Sequence, residues 1–384
     1  MIARSILSEA RLALTQFRVL CITGPRQSGK TTLSRALFAG KAYVNFEDPS
    51  VQFQFQQDPS AFIERYRDGA VFDEVQRVPD VFRYLQVHVD RHTRRGQFIL
   101  TGSNNYLLQQ QVSQSLAGRA GYLTLLPLSF EELQEAGYPK KDVDTYLLKG
   151  GYPEIWAEQL KPQKWLESYI QTYIQRDVRQ LRNISDLAAF MRLVQLCAHH
   201  AGQLLNREEL AKQTGVDSKT VQSWLGLLES SYILFQLQPW HNNLNKRIIK
   251  SPKLYFYDTG LLCTLLRISS KQGLKQHPMY GAIFENWCVA ELCKNRLNRG
   301  ERDGLYFFRD STGNEIDVIM EKETGPLAIE IKSSSKEDLP LTGGLRYWRK
   351  YQPGRQGILL YQKTSRKTDH PDLGLLSWTD IGEI

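Results

Sequence analysis

The sequence predicts an α/β fold, and three stretches carry that expectation. The apolar run Val19-Leu20-Cys21-Ile22 passes through Gly24-Pro25-Arg26-Gln27-Ser28-Gly29-Lys30-Thr31 into the helix-like Thr32-Leu33-Ser34-Arg35-Ala36-Leu37. A second apolar run, Ala70-Val71-Phe72, ends in the acid pair Asp73-Glu74. Far downstream, 305–308, 315–320 and 327–332 read as strands after a helical 282–297. At 384 residues the chain exceeds one ordinary core. Changes of pattern divide it into 1–128, 129–185, 186–258 and 259–384.

A hydrophobic content of 41% and a charged content of 23% are those of a soluble globular protein. No apolar run approaches the ~20 residues that a bilayer span needs. Met1-Ile2-Ala3-Arg4-Ser5 lacks the apolar core of a signal peptide, so the expected compartment is the cytoplasm, with no membrane partner. Cys21, Cys197, Cys263, Cys288 and Cys293 form no C-x-x-C pair and sit among apolar residues, as buried reduced thiols do. A net charge of +8 admits an anionic partner without specifying one.

Gly24 to Thr31 is the G-x-x-x-x-G-K-[ST] phosphate loop in strand–loop–helix context. Its glycines let successive N–H groups point at phosphate oxygens, and the following helix adds positive potential. The expected cofactors are ATP and Mg²⁺, with ATP and GTP not distinguished. Gly24, Pro25, Arg26, Gln27, Ser28, Gly29, Lys30, Thr31 and Thr32 line the nucleotide. Lys30 reaches the β- and γ-phosphates, and Thr31 enters the Mg²⁺ shell.

Before this loop, 10–17 reads as a short helix. After it, 42–46 reads as a strand and 61–66 as a helix. The run 70–74 is the other half of the machine: Asp73 at a strand end holds Mg²⁺ through water, and Glu74 polarises the attacking water. Strand 97–101 runs into Gly102-Ser103-Asn104, where Ser103 or Asn104 fits either a sensor of the γ-phosphate or plain turn chemistry. Arg119 precedes the apolar strand 122–126. It is either a surface arginine or a group that neutralises phosphate charge on a neighbouring subunit's nucleotide. The second role requires self-association in a ring or partial ring.

The loop, Asp73-Glu74, Thr101-Gly102-Ser103 and Leu116-Ala117-Gly118-Arg119 resemble the ATPase core of AAA+ proteins. More narrowly they resemble the bacterial and archaeal "AAA domain plus DUF4143" ATPases. Lys149-Gly150-Gly151-Tyr152-Pro153-Glu154 and Tyr173-Ile174-Gln175-Arg176-Asp177-Val178 are similar to that family's signatures. The resemblance implies the fold and an ATP site without supplying a cellular role.

Residues 129–185 read as a helical lid. Ser129 caps a helix with Glu131 and Glu132 in its first turn. Leu166, Tyr169, Ile170, Tyr173, Ile174 and Val178 form one helical face, and Arg176, Arg179 and Arg182 face phosphate or solvent. From Asp186 the pattern is that of a helix-turn-helix: a short helix capped by Asn206, a turn at Thr214-Gly215-Val216, and a longer helix capped by Asp217. Residues 232–237 and 253–257 form a hairpin around a basic loop, making a winged version. Lys219, Thr220 and Gln222 on the second helix, with Lys246 and Arg247 in the wing, are the expected DNA contacts. Contact with a protein is the competing use of such a shape.

In the last segment Glu285 lies near the start of a helix; alternation places Asp317 on one face, and Glu330 and Lys332, two apart on the next strand, share another. This order resembles the PD-(D/E)xK nuclease fold. The resemblance makes Asp317 and Glu330 Mg²⁺ ligands, Lys332 the water-orienting group and Glu285 an accessory acid. From 332 to 367 basic residues dominate, with Tyr347 and Trp348 interleaved, a composition that suits a nucleic-acid surface and equally an ordinary helix exterior. The fold class is then α/β: a P-loop AAA+ core with a helical lid, a winged helix-turn-helix middle and an α/β nuclease-like C-terminal domain. The leading function is ATP hydrolysis applied to duplex or branched DNA, with Mg²⁺-dependent cleavage left open. Its rival is an ATP-dependent switch that binds a protein partner and carries an inert nuclease-like scaffold.

Overall fold

A computed structural model of the chain describes residues 2–103, 112, 114–140, 142–178, 184, 186–240, 250–302, 304–334, 343–367 and 373–384. Of 175–178 and 366–367 only the backbone is described. The chain forms two compact units. The first is Met1–Leu128 with Ser230–Tyr232 and Arg296–Glu301; the second is Ser129–Glu229, Ile233–Asn295 and Arg302–Ile384.

The first unit runs α1 (Leu7–Gln16), β1 (Val19–Thr23), α2 (Lys30–Leu37), β2 (Ala42–Asn45), α3 (Pro49–Gln57), α4 (Pro59–Arg65), β3 (Ala70–Asp73), α5 (Val81–Arg91), β4 (Phe98–Gly102) and β5 (Ala120–Thr124). Its five strands are parallel in the order β2-β3-β4-β1-β5. Crossover helices cover a parallel sheet on both sides, so β1, β3 and β4 can be apolar without alternation. Every residue of these three strands is buried. Phe46, Phe55, Phe62, Phe72 and Phe98 interlock on one side; Ile6, Ala10, Leu20, Ile22 and Ile99 fill the other. Helices α3 and α5 add to the sequence reading: in α3 Val51, Phe53 and Phe55 alternate as a strand would, whereas α5 carries the helical spacing Val81, Phe82, Leu85 and Val89. Asp48 and Asp58 cap α3 and α4 ahead of prolines at the first helical position.

In the second unit helices alternate with one mixed sheet of order β12-β13-β11-β10-β9-β8-β6-β7. Its strands are β6 (Leu234–Pro239), β7 (Lys253–Phe256), β8 (Leu305–Arg309), β9 (Glu315–Met320), β10 (Leu327–Lys332), β11 (Gly357–Tyr361), β12 (Arg366–Lys367) and β13 (Leu373–Ser377). The hairpin β6–β7 belongs to this sheet: Gln238 and Pro239 pair in parallel with Tyr306 and Phe307 of β8. The sequence boundary at 258/259 therefore cuts through one sheet, a consequence of strand pairing between Gln238 and Tyr306 that no local pattern registers. The boundary at 185/186 also lies inside this unit.

The described residues of 129–178 are largely helical. Ser129 and Glu132 form a full capping box, and the helix Pro162–Tyr169 continues as a π-helix over Ile170–Val178. The family-like Gly150-Gly151 pair has a structural task. The buried Asp258 carboxylate accepts from the Gly151 and Leu261 N–H groups. Gly150, at φ 66°, leaves no room for a Cβ beside that carboxylate. Among the described residues no helix is long and apolar enough to cross a membrane, and all five cysteines are free and buried.

Candidate functional site

The phosphate loop follows β1, which lies between β4 and β5, and opens α2. Gly24 adopts φ 146° against the Leu125 carbonyl, Gln27 φ 63° and Gly29 φ 94°, so the backbone curls inward. Lys30 is buried, and its ammonium donates to the Gly24 and Pro25 carbonyls at 2.9 and 2.7 Å. Burial above all lowers its pKa to about 8, with Glu74 and Asp73 opposing and Arg26 assisting. The Ser28 hydroxyl is buried without a hydrogen-bond partner. Arg26 pairs with Glu47 at 3.3 Å, and Arg4 donates to the Ser28 and Leu126 carbonyls at 2.7 Å, fixing the loop's outer side.

Asp73 closes β3, which is separated from β1 by β4. The Thr31 hydroxyl donates to its Oδ2 at 2.8 Å. Tyr43 and Thr101 donate to the same carboxylate from β2 and β4. Glu74 sits at φ 54° and turns the chain out of the sheet. Its carboxylate accepts from Gln76 and, at 3.3 Å, from Ser103. The strand tips thus gather Lys30, Thr31, Asp73 and Glu74, as their spacing predicts. An orphaned hydroxyl, a buried ammonium resting on carbonyls and a hydroxyl–carboxylate pair fit a magnesium nucleotide. Asn104 lies outside the described residues.

Sequence reading gives Tyr43 and Gln76 no part in the site, and names Thr101 only within the strand tip 101–103 without a role. Tyr43 lies in a short strand where an aromatic is ordinary. Its phenol is pushed up to about 12 by burial first and then by Asp73.

Arg119 stands at the other end of the sheet. Parallel pairing sets Ala120 beside Val19, whereas the loop leaves β1 after Thr23. The offset is roughly 16 Å along the strands. The guanidinium makes two bonds to Asp90, at 2.5 and 2.8 Å, and Arg18 joins that carboxylate at 3.2 Å. Within one chain Arg119 does not meet the loop.

The second carboxylate group lies on β7, β9, β10 and the helix Tyr280–Asn298. Antiparallel pairing up to Ile329–Val318 brings Asp317 beside Glu330. Asp317, Glu330 and Lys332 therefore share one face rather than two. Asp317 Oδ2 accepts from the Ile331 N–H at 2.8 Å, and the Lys332 ammonium lies 3.2 Å from Glu330 and 3.8 Å from Asp317.

Lys253 was read only as the start of a wing strand. It is buried, with its ammonium 2.6 Å from Glu315 and 3.4 Å from Glu285. Tyr255 donates to Glu285 at 2.7 Å. Burial pulls Lys253 down, but Glu285, Asp317 and Glu315 outweigh it and raise its pKa. Burial and then Asp317 raise both Glu285 and Glu330 above the carboxylate range. The signal for Lys253 was a charged residue opening an otherwise apolar strand.

The helices Arg207–Thr214 and Ser218–Ser230 flank a turn at Gly215, φ 78°. Lys219 and Gln222 are exposed. The Thr220 hydroxyl instead donates to the capping Asp217 at 2.7 Å. Lys246 and Arg247 lie outside the described residues, as do Arg179 and Arg182, and only the backbone of Arg176 is described. The aromatic pair expected to face nucleic acid does not present two rings. Trp348 is fully buried against Trp240, because its helix packs its apolar edge on β9 and β10.

Residues 16–134 match the model of an AAA domain, 140–272 that of a domain of unknown function (DUF8612), and 280–374 that of a domain of unknown function (DUF4143). "Uncharacterized protein Rv2008c" of Mycobacterium tuberculosis is 32% identical over 335 residues, 86% of this chain and 74% of that one. "Uncharacterized protein MJ1544" of Methanocaldococcus jannaschii is 23% identical over 99% of this chain and 86% of that one. Among solved structures, the Walker-type ATPase PABY2304 of Pyrococcus abyssi superposes with a TM-score of 0.49 at 16% identity, covering 69% of this chain and 96% of that one.

Proposed function

Because the chain belongs to the family of AAA-domain ATPases that carry a DUF4143 domain, we propose that it hydrolyses ATP with Mg²⁺ in the cytoplasm and applies the cycle to DNA. The observation that carries the hydrolytic part is the Thr31–Asp73 hydrogen bond with Glu74 next in sequence, at the strand tips beside the loop. The loop's N–H groups and Lys30 hold the phosphates, and Thr31 and Asp73 hold the ion, which supplies positive charge to the phosphate oxygens. Glu74, oriented by Gln76 and Ser103, takes the proton of the attacking water. Arg119 serves the nucleotide of a second copy, since its place at the far sheet end keeps it from its own.

DNA enters through a winged helix-turn-helix. Exposed Lys219 and Gln222 on the second helix, and Lys246 and Arg247 in the wing, are its contacts. The decisive experiment combines gel shifts on duplex and branched DNA, with and without ATP, with hydrolysis rates in the presence of DNA. Shifted complexes and stimulated turnover support the reading. A hydrolysis rate indifferent to DNA and no shift overturn it. Lys246→Ala with Arg247→Ala lowers affinity and its salt slope. Arg119→Ala lowers turnover in the assembled state; turnover unchanged, beside a dead Lys30→Ala, removes the trans role.

One observation favours a second reading for the C-terminal site. Lys253 and Lys332 already neutralise its carboxylates, as an inert scaffold for a protein-binding switch requires. Cleavage of DNA with Mg²⁺ that is lost in Asp317→Asn decides for the nuclease; no cleavage decides for the scaffold.

A further inference from the structure

Helices α4 and α5 pack side by side in the first unit. Among the described residues, Glu64, His88 and His92 bring ligand atoms within 4.8 Å of one another. His88 and His92 stand four apart, so their rings share one face of α5, with centroids 4.6 Å apart. His92 and Glu64 are exposed, whereas His88 is only 6% exposed and packs edge-on to Phe98.

The buried ring is badly served by protein partners. Its Nε2 has no hydrogen-bond partner, and its Nδ1 lies 3.5 Å from Glu64 Oε2. The nitrogen that faces the cluster has only this long contact to a carboxylate, and a buried ring so poorly served calls for a reason. A core histidine serving packing alone would not collect a second imidazole and a carboxylate at its rim.

From this we infer that Glu64, His88 and His92 form a site for a divalent transition ion of the zinc class. Two imidazoles and one carboxylate suit Zn²⁺ and its first-row neighbours and not Mg²⁺, which prefers oxygen ligands and keeps its waters. Zinc–ligand bonds of about 2 Å put tetrahedral ligand atoms roughly 3.3 Å apart. Closing from 4.8 Å asks only for rotation of the two exposed side chains, with water as the fourth ligand.

The site is separate from the phosphate loop. Phe98 opens β4 and pairs with Val19, the first residue of β1, while the loop follows the last. One turn of α5 also carries Asp90, the partner of Arg119, so a bound ion pins the segment that holds that arginine. The ion's role is structural or regulatory.

The test is calorimetric titration of the untagged, metal-stripped full chain with Zn²⁺ without nucleotide, repeated on His92→Ala and Glu64→Gln. Both substitutions are at exposed positions, and unchanged melting without metal confirms their folding. One equivalent should bind to the wild type, unaffected by excess Mg²⁺. Affinity should weaken more than about tenfold in each variant, since even outer-shell changes cost 10–100-fold. Bound Co²⁺ should show the intense visible bands of a tetrahedral site, absent in His92→Ala. No saturable binding, or equal binding by the wild type and His92→Ala, overturns the assignment.

Discussion

Lys30 and Lys253 are two of the buried lysines that stand among acids in this molecule, and they are held in opposite ways. Lys30 rests on two backbone carbonyls, with Asp73 occupied by three hydroxyl groups and Glu74 by Gln76 and Ser103. Lys253 is ion-paired directly with Glu285 and Glu315. Carbonyls are dipoles that a phosphate can displace, so the first ammonium is available to an anionic ligand. Full carboxylates satisfy the second, and an added cation would have to compete with it. The first arrangement waits for a ligand, and the second has supplied its own counter-charge.

The largest effect that could break this contrast is on turnover. Glu74→Gln should lower kcat by about 10²–10⁴-fold while nucleotide binding persists, the range for loss of a general base. Asp317→Asn should leave ATP turnover unchanged. A steady-state assay with a fluorescent nucleotide titration separates the two, and equal losses would erase the distinction.

Next in size is stability. Lys253→Met should cost about 3–5 kcal/mol, because it strands buried carboxylates. Lys332→Met, at a side chain 43% exposed, should cost at most about 1 kcal/mol. Urea unfolding measures both. The Lys253 deficit should shrink as pH falls, since Glu285 is held above the carboxylate range and a protonated Glu285 needs no cation. A deficit that grows on acidification would contradict the pairing.

A smaller effect concerns protons. Lys30 titrates at about 8 in the free protein, chiefly through burial, and phosphates favour its charged form. ATP affinity should thus be flat below about pH 8 and fall up to about tenfold per unit above it, with proton uptake near pH 8. Titrations in buffers of different ionisation enthalpy read that uptake. Lys30→Arg should flatten the slope.

The smallest effect belongs to Ser28. Ser28→Ala removes a hydroxyl that has no partner in the free protein. Stability should stay within about 0.5 kcal/mol, while nucleotide affinity falls by about 1.5–3 kcal/mol if that hydroxyl meets phosphate. Unchanged affinity would show that Ser28 only shapes the loop.

The nucleotide site was legible because its chemistry is local. A loop of eight consecutive residues and one adjacent acid pair carry it, and strand tips in a parallel sheet bring them together. Strands β9 and β10 were legible to the residue because their alternation is regular. Helix α5 carries the helical apolar spacing of Val81, Phe82, Leu85 and Val89 but no motif that marks a site. Its histidines carry no signal until Glu64 is seen beside them from another helix. The expected aromatic surface at Tyr347-Trp348 failed for a related reason: composition counts a tryptophan without knowing which side of its helix is covered.

By itself, then, the sequence determined the phosphate loop, the acid pair and the strands that carry both carboxylate sites. These depend on hydrogen bonds and periodicities within a few residues. Tertiary structure decided that β6 and β7 extend the C-terminal sheet, that Lys253 neutralises Glu285 and Glu315, and that Arg119 pairs with Asp90 at the sheet end far from the loop. Each joins residues distant in sequence, and burial and charge pairing act on positions in space rather than on spacing along the chain.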